Sequence, residues 1–324
     1  MKILNFCFLF SIIASFSFGQ TVLVNGTVSN QAGEPVPFAF IKDIKHNYAT
    51  FSDSVGNFHL RVDPASSLVA LAPHYKNEVV AIGGSQKIKM VMISNGSEAA
   101  STKTDADNAG GSNSFLMNRQ LLVTTNLGAF SQTIKTGFNQ EETRGSRYMF
   151  ANWLPAFGIN KSDTLLADIG TVYNYDKING NLLLSEDKKT TSMIPKGEVK
   201  SFTLFDGKGH PHIFVSAPEI NGKPYIEILV NSPKVKIYKK VDTKLVAADF
   251  HTDGVIESGH RYDEYVDVER YYVVKDGAKP VSISLRKKTI KEIFAGDADK
   301  FIADQGSRDV DEDYLADLNI NLGQ

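Results

Sequence analysis

Val24-Asn25-Gly26-Thr27-Val28, then Gly33-Glu34-Pro35-Val36-Pro37-Phe38-Ala39, then Asp53-Ser54-Val55-Gly56-Asn57-Phe58 spell strand, turn, strand, turn, strand. Val22, Val24 and Val28 recur at period two, the mark of a half-buried strand. Gln31-Ala32-Gly33-Glu34 is a turn, and Pro35, which lacks an N–H, delays the next pairing. Phe38, Phe40 and Ile41 carry that next strand, and Tyr48 to Ser52 returns from it. Asp53 to Gly56 is a tight turn in which Gly56 is free to take a positive φ. Phe58, Leu60 and Val62 then alternate inward. Leu68 to Ala72, Val79 to Ile82 and Lys87 to Ile93 complete seven short strands. Regular turn signals between such strands predict a small β-sandwich over residues 21–93.

The Gly33 turn and the Asp53-to-Phe58 motif resemble the carboxypeptidase regulatory-like domain, a transthyretin-like sandwich found at the front of bacterial envelope proteins. His74-Tyr75 departs from it, since the family usually has Gly-Tyr there. The resemblance implies a non-catalytic folding or docking module without zinc ligands, and an address in the cell envelope.

Residues 1–20 fit that address. Lys2 is followed by an apolar run from Ile3 to Phe18, the layout of a secretory signal peptide. The run is shorter than the roughly 20 residues a membrane-spanning helix needs. The only cysteine, Cys7, lies inside it. The mature chain is therefore expected to lack disulfides, thiolate metal sites and cysteine nucleophiles. The whole chain has 35 basic and 37 acidic residues. No basic excess exists to neutralise phosphates, so nucleic acid is not an expected partner. No later run is apolar enough to predict a transmembrane helix in the mature chain.

Residues 94–114 are rich in Ser, Asn, Gly, Asp and Ala and contain no aromatic residue from Asn95 onward. Such a stretch cannot bury enough area to offset its ordering entropy. A coil of about 20 residues spans on the order of 25 Å. The expectation is a flexible linker that keeps the two units apart as beads on a string.

Residues 115–324 read as a second, larger β-rich domain. Four hairpins are predicted: Val172–Ile178 with Leu182–Leu184 around Asn179-Gly180, Val199–Phe205 with Ile213–Ser216, Tyr225–Val230 with Val235–Val241, and Tyr265–Val274 with Val281–Leu285. Hairpins in series suggest an antiparallel meander, a bent sheet or a barrel. At the end the period changes. Ile290, Ile293 and Phe294, then Phe301 and Ile302, then Tyr314, Leu315 and Leu318 predict two or three short C-terminal helices. Three basic and nine acidic residues lie between Thr289 and Gln324, which suits a solvated helical surface or a docking tail. Gly145-Ser146-Arg147-Tyr148, Tyr175-Asp176-Lys177-Ile178 and Thr252-Asp253-Gly254 with Tyr262-Asp263-Glu264-Tyr265 are similar to secreted proteins of Gram-negative bacteria that pair this domain with the same front module. No activity comes with that likeness.

Chemistry is sparse. There is no His-Glu-x-x-His, no Gly-x-Ser-x-Gly, no P-loop and no Gly-x-Gly-x-x-Gly. No catalytic residue, metal site or cofactor is predicted. His210-Pro211-His212 could approach a metal but reads better as a structural or exposed pair. Asp309-x-Asp311-x-Asp313 imitates a calcium loop, yet its sixth position is Tyr314 and its twelfth Ile320, so helix capping accounts for it better. The first choice of ligand-binding residues is the loop-like segment with His251, Asp253, Glu257, His260, Tyr262, Asp263 and Glu264. Tyr262, Tyr265, Tyr271 and Tyr272 could wall a glycan there, or simply pack across strands. The expected function is that of a non-catalytic exported envelope protein, periplasmic or extracellular, binding a protein or glycan partner. The alternatives are a hydrolase using the 251–264 loop and a carrier of lipid or another small ligand.

Overall fold

A computed structural model describes residues 21–95, 132–137, 143–249, 251–252, 256–259 and 262–322. The expected leader and most of the expected linker lie outside these residues. The chain is mainly β. In the front unit, β1 (Val22–Asn30), β2 (Phe40–Asp43), β3 (Ala49–Phe51), β4 (Asn57–Val62), β5 (Ser67–Leu71), β6 (Glu78–Ala81) and β7 (Lys87–Met92) form two sheets, ordered β4-β1-β7 and β3-β2-β5-β6. β1 pairs antiparallel with β4 and parallel with β7. Val24, Val28, Phe58, Leu60, Val62, Ile88 and Met90 meet Ile41, Leu68 and Ala70 between the sheets. The seven strands fall where alternation places them, except that Phe38 precedes β2, exposed and with φ +54°.

The Asp53 turn is held from inside. Asp53 Oδ1 accepts from the N–H groups of Val55 and Asn57 at 2.9 and 2.8 Å. Gly56 takes φ +82°, and a Cβ there would stand 2.5 Å from the Val28 carbonyl oxygen. His74 occupies the position where a glycine was expected from the resemblance, and it adopts φ +68°. It thus keeps the left-handed backbone that glycine takes freely.

The second unit contains β8 (Gln132–Gly137), β9 (Ala156–Asn160), β10 (Leu165–Ala167), β11 (Val172–Asp176), β12 (Asn181–Ser185), β13 (Thr190–Met193), β14 (Val199–Phe205), β15 (Pro211–Val215), β16 (Ile226–Asn231), β17 (Val235–Val246), β18 (His251–Thr252), β19 (Glu257–Ser258), β20 (Glu264–Lys275) and β21 (Val281–Ile283). Helices α1 (Lys287–Phe294), α2 (Asp299–Asp304) and α3 (Glu312–Leu322) follow. All four predicted hairpins form. Eight strands make one antiparallel sheet, β10-β9-β14-β15-β16-β17-β20-β21, and β11-β12-β13-β8 make a second. β10 and β21 are the edges of the larger sheet. Among the described residues it is an open sheet, so the barrel alternative does not hold.

Two covers share one face of that sheet. Phe202, Leu204 and Phe214 pack against Tyr173, Tyr175, Leu182 and Leu184 of the smaller sheet. Further along, Ile237 and Val273 pack against Ile290, Phe294, Phe301, Tyr314, Leu315 and Leu318 of the helices. Asp311 caps α3, its Oδ1 accepting from the Tyr314 N–H at 2.7 Å. The Asp309–Asp313 run therefore does serve as a cap.

The opposite face carries the front unit. Phe40, Phe51, Val69 and Leu71 point out of the sandwich and bury themselves against Phe157, Leu165, Ala167 and Phe205. Phe51 lies 5.2 Å from Phe205, centroid to centroid, and Phe40 lies 6.3 Å from Phe157. The beads-on-a-string expectation is corrected here: the units share an apolar core. The physical reason is that the β3-β2-β5 layer is apolar on both faces. An exposed second face of that size would draw a cover.

Candidate functional site

The segment chosen from sequence falls only partly within the described residues. β18 and β19 pair, His251 opposite Ser258 and Thr252 opposite Glu257. Asp253 and His260 lie outside the described residues. Tyr262, Asp263 and Glu264 come together around Arg144. The Arg144 guanidinium sits over the Tyr262 ring, 3.6 Å from its centroid, and donates to its hydroxyl oxygen at 2.7 Å. Asp263 Oδ1 accepts from the Ala248 N–H at 2.8 Å, and the Asp263 carbonyl accepts from the Arg144 N–H at 2.9 Å. Glu264 bridges to Arg144 along the backbone. These contacts staple the 144–148 segment to the loop end of the long β17–β20 ladder. The four tyrosines do not make a single wall. Tyr271 and Tyr272 are neighbours on one strand, opposite Lys239 and Tyr238, and so point to opposite faces.

The motifs that carried the second resemblance also meet. Arg147 Nη2 donates to Asp176 Oδ2 at 2.8 Å, and the buried Lys177 donates to Asp267 at 2.5 Å. Asp176 Oδ1 accepts from the Ile178 N–H, so the Asn179-Gly180 turn is tied to the same carboxylate.

A denser constellation lies elsewhere, at the junction of the β14–β15 loop, β16, α3 and the front unit. Cross-strand register explains it. Phe202, Phe214, Glu227, Lys239 and Tyr271 are successive partners across five strands and lie in one row on one face. The row leaves the aromatic core, crosses the seam between the two covers, and reaches α3. In that seam it becomes polar. Glu227 and Lys239 are only 3% and 8% exposed. Lys239 Nζ donates to Glu312 at 2.6 Å and to Glu269 at 2.9 Å. The Tyr271 hydroxyl donates to Glu312 at 2.9 Å.

His210 and His212 are brought into this seam. The Asp206 carboxylate shapes their loop, its Oδ1 accepting from the N–H groups of Lys208 and His210 at 2.8 Å each. His212 Nδ1 lies 2.8 Å from Glu227 Oε1, and its Nε2 lies 4.0 Å from Asp206 Oδ2. His210 Nδ1 lies 3.5 Å from Asp206 and 3.8 Å from Asp313. The His212 ring meets Phe150 edge-on at 4.7 Å. Burial alone would lower the His212 pKa. Its bonds to Asp206 and Glu227 outweigh that and lift it to about 9. Burial likewise opposes ionisation of Asp206, yet the His212 and backbone bonds hold it at about 2. Burial pushes against the charge on Lys239 too, and Glu312 more than restores it.

His212 thus lies between two carboxylates, with Nδ1 bonded to Glu227 and Nε2 4.0 Å from Asp206, an arrangement that favours its protonated form. Among the described residues, no group of three or more His, Cys, Asp or Glu is disposed to hold a metal ion. No helix of the described residues is long and apolar enough to cross a membrane. The sequence reading singled out the two histidines and missed their partners. Asp206 stands four residues before His210, and Glu227 and Lys239 are lone charges inside apolar strands. The chain matches no protein-family model and no curated protein.

Proposed function

We propose that the mature chain is a non-catalytic exported binding protein of the cell envelope. In this reading the front sandwich is a carboxypeptidase regulatory-like module, and the two units act as one recognition body for a protein or glycan partner. The observation that carries the reading is the shared core of Phe40, Phe51, Val69 and Leu71 with Phe157, Leu165, Ala167 and Phe205. A module packed in this way presents a composite surface that neither unit has alone. The setting of His212 supports the same reading, because an imidazole whose pKa is raised to about 9 is a poor general base near neutral pH.

The test uses the mature chain as bait against envelope extract and a glycan panel. The expected result is capture of a defined partner, weakened when Phe51 and Phe205 are both changed to Ala. Failure to capture any protein or glycan would overturn the reading. So would turnover of peptide, ester or glycoside substrates by the purified chain.

A further inference from the structure

We propose that the cavity at the junction receives a cation, an ammonium or guanidinium group carried on a short aliphatic chain. The proposal rests on the binding reading above and names the ligand chemistry of one site within it. The cavity has a volume of about 170 Å³. Pockets for whole drug-sized ligands run to roughly 300–1,000 Å³, so this one suits the end of a molecule. Its walls come from the β14–β15 loop, β16 and α3, with His59 of the front unit at one side. Arg61 Nη2 donates to the Ile320 carbonyl at 3.1 Å, which fastens β4 of the front unit to the end of α3 beside it.

Charge selects the ligand. Five carboxylates line the cavity: Asp206, Glu227, Glu312, Asp313 and Asp317. Three cations answer them, with His210, 3.5 Å from Asp206 and 3.8 Å from Asp313, a fourth when protonated. His212 lies between Asp206 and Glu227, Lys239 reaches Glu312, and Arg308 reaches Asp317 at 2.6 Å. The surplus is negative. Glu227 supplies the independent sign of a ligand. It is buried, it lines the cavity, and its Oε2 has no hydrogen-bond partner. A buried carboxylate oxygen left unpaired carries a desolvation cost on the order of 1–3 kcal/mol, more when charged, and an N–H donor toward which the carboxylate turned would remove it. The walls between the acids are apolar, with Ile213, Leu229, Ala316 and Ile320. They fit methylene groups behind a charged head, as a lysine or arginine side chain or an alkylamine presents them.

The test is calorimetric titration of the mature chain at pH 7. The probes are pentylamine and pentylguanidine, with pentan-1-ol, pentanoate and zinc chloride as comparisons. The amine and guanidine are expected to bind, and the alcohol and carboxylate are expected to bind at least tenfold more weakly. Glu227→Gln should weaken the amine at least tenfold, and Asp313→Asn, at the exposed rim, about twofold to fivefold. Should Glu227→Gln fail to fold, the rim variant and the comparison of amine with alcohol still decide. Equal binding of amine and alcohol, unaltered amine affinity in both variants, or binding of zinc alone would overturn the proposal. Partner capture that survives both saturating pentylamine and Glu227→Gln would remove this inference and leave the docking reading standing. Amine binding without any captured partner would do the reverse.

Discussion

Replacing Phe51 with Ala separates a fused molecule from a tethered one. Phe51 belongs to the front sandwich, is 3% exposed, and has its ring 5.1 Å from Phe40 and 5.2 Å from Phe205. Truncating a buried phenylalanine costs about 3–5 kcal/mol, made of lost transfer energy and the cavity left behind. At roughly 2–4 °C per kcal/mol for a chain of this order of size, melting should fall by about 10 °C. Phe205→Ala in the second unit should cost a similar amount, because Phe205 also touches Phe157 at 5.6 Å. The decisive quantity is the coupling. An aromatic pair contributes about 0.5–1.5 kcal/mol beyond its area. The double variant should therefore lose less than the two singles added together, by about 1 kcal/mol. Scanning calorimetry of residues 21–324 and the three variants measures it. A companion experiment cuts an engineered protease site within residues 94–114 and asks whether the two pieces co-elute. Two separate transitions, with Phe51→Ala moving one and Phe205→Ala the other, would refute the shared core. So would additivity within about 0.3–0.5 kcal/mol and fragments that part after cleavage.

Stability should also follow pH in two windows. The raised His212 pKa gives a contribution that is full below about pH 6.5, the unfolded value, and is lost as pH rises through about 9. The depressed Asp206 pKa gives one that is full above about pH 4 and is lost as pH falls through about 2. Urea unfolding from pH 2 to 10 should show a plateau between about pH 4 and 6.5, and His212→Gln should flatten the alkaline side. A slope between pH 6.5 and 9 that the variant leaves intact would assign the effect to another group. The two left-handed turn residues should respond with opposite signs. Gly56→Ala meets the Val28 carbonyl at 2.5 Å and a positive φ, and should cost about 2 kcal/mol or more. His74→Gly relieves a left-handed histidine and should gain about 0.5–1 kcal/mol. Urea midpoints of the two variants check both, and a stable Gly56→Ala protein would mean the turn is built differently.

Local features of this fold were legible because their causes are local. Asn179-Gly180 sits in the turn it signals, with Gly180 at φ +70°. The turn at Asp276-Gly277 has both residues at positive φ, and the Ala278 N–H donates to the Lys275 carbonyl at 2.8 Å across it. The union of the two units was written less obviously. Leu68-Val69-Ala70-Leu71 is a continuous apolar run, buried at every position, whereas β7 alternates strictly between exposed and buried. A strand that is apolar on both sides has something on both sides. That run argues for a covering layer, and the polar composition of residues 94–114 says only how far apart the units can be. The junction cavity was hidden for a different reason. Glu227 and Asp313 are far apart in the chain, and His212 meets Glu227 only because β15 and β16 pair in one particular register. A slip of one residue would turn Glu227 to the opposite face, among Ile226, Ile228 and Tyr238. What the sequence does expose is the anomaly itself. A lone glutamate between Ile226 and Ile228 in a central strand is costly unless its alternation faces a polar partner. Lys239, its cross-strand partner, is a second such anomaly. Two isolated charges of opposite sign, each inside an apolar strand of one hairpin, constrain the register that joins them.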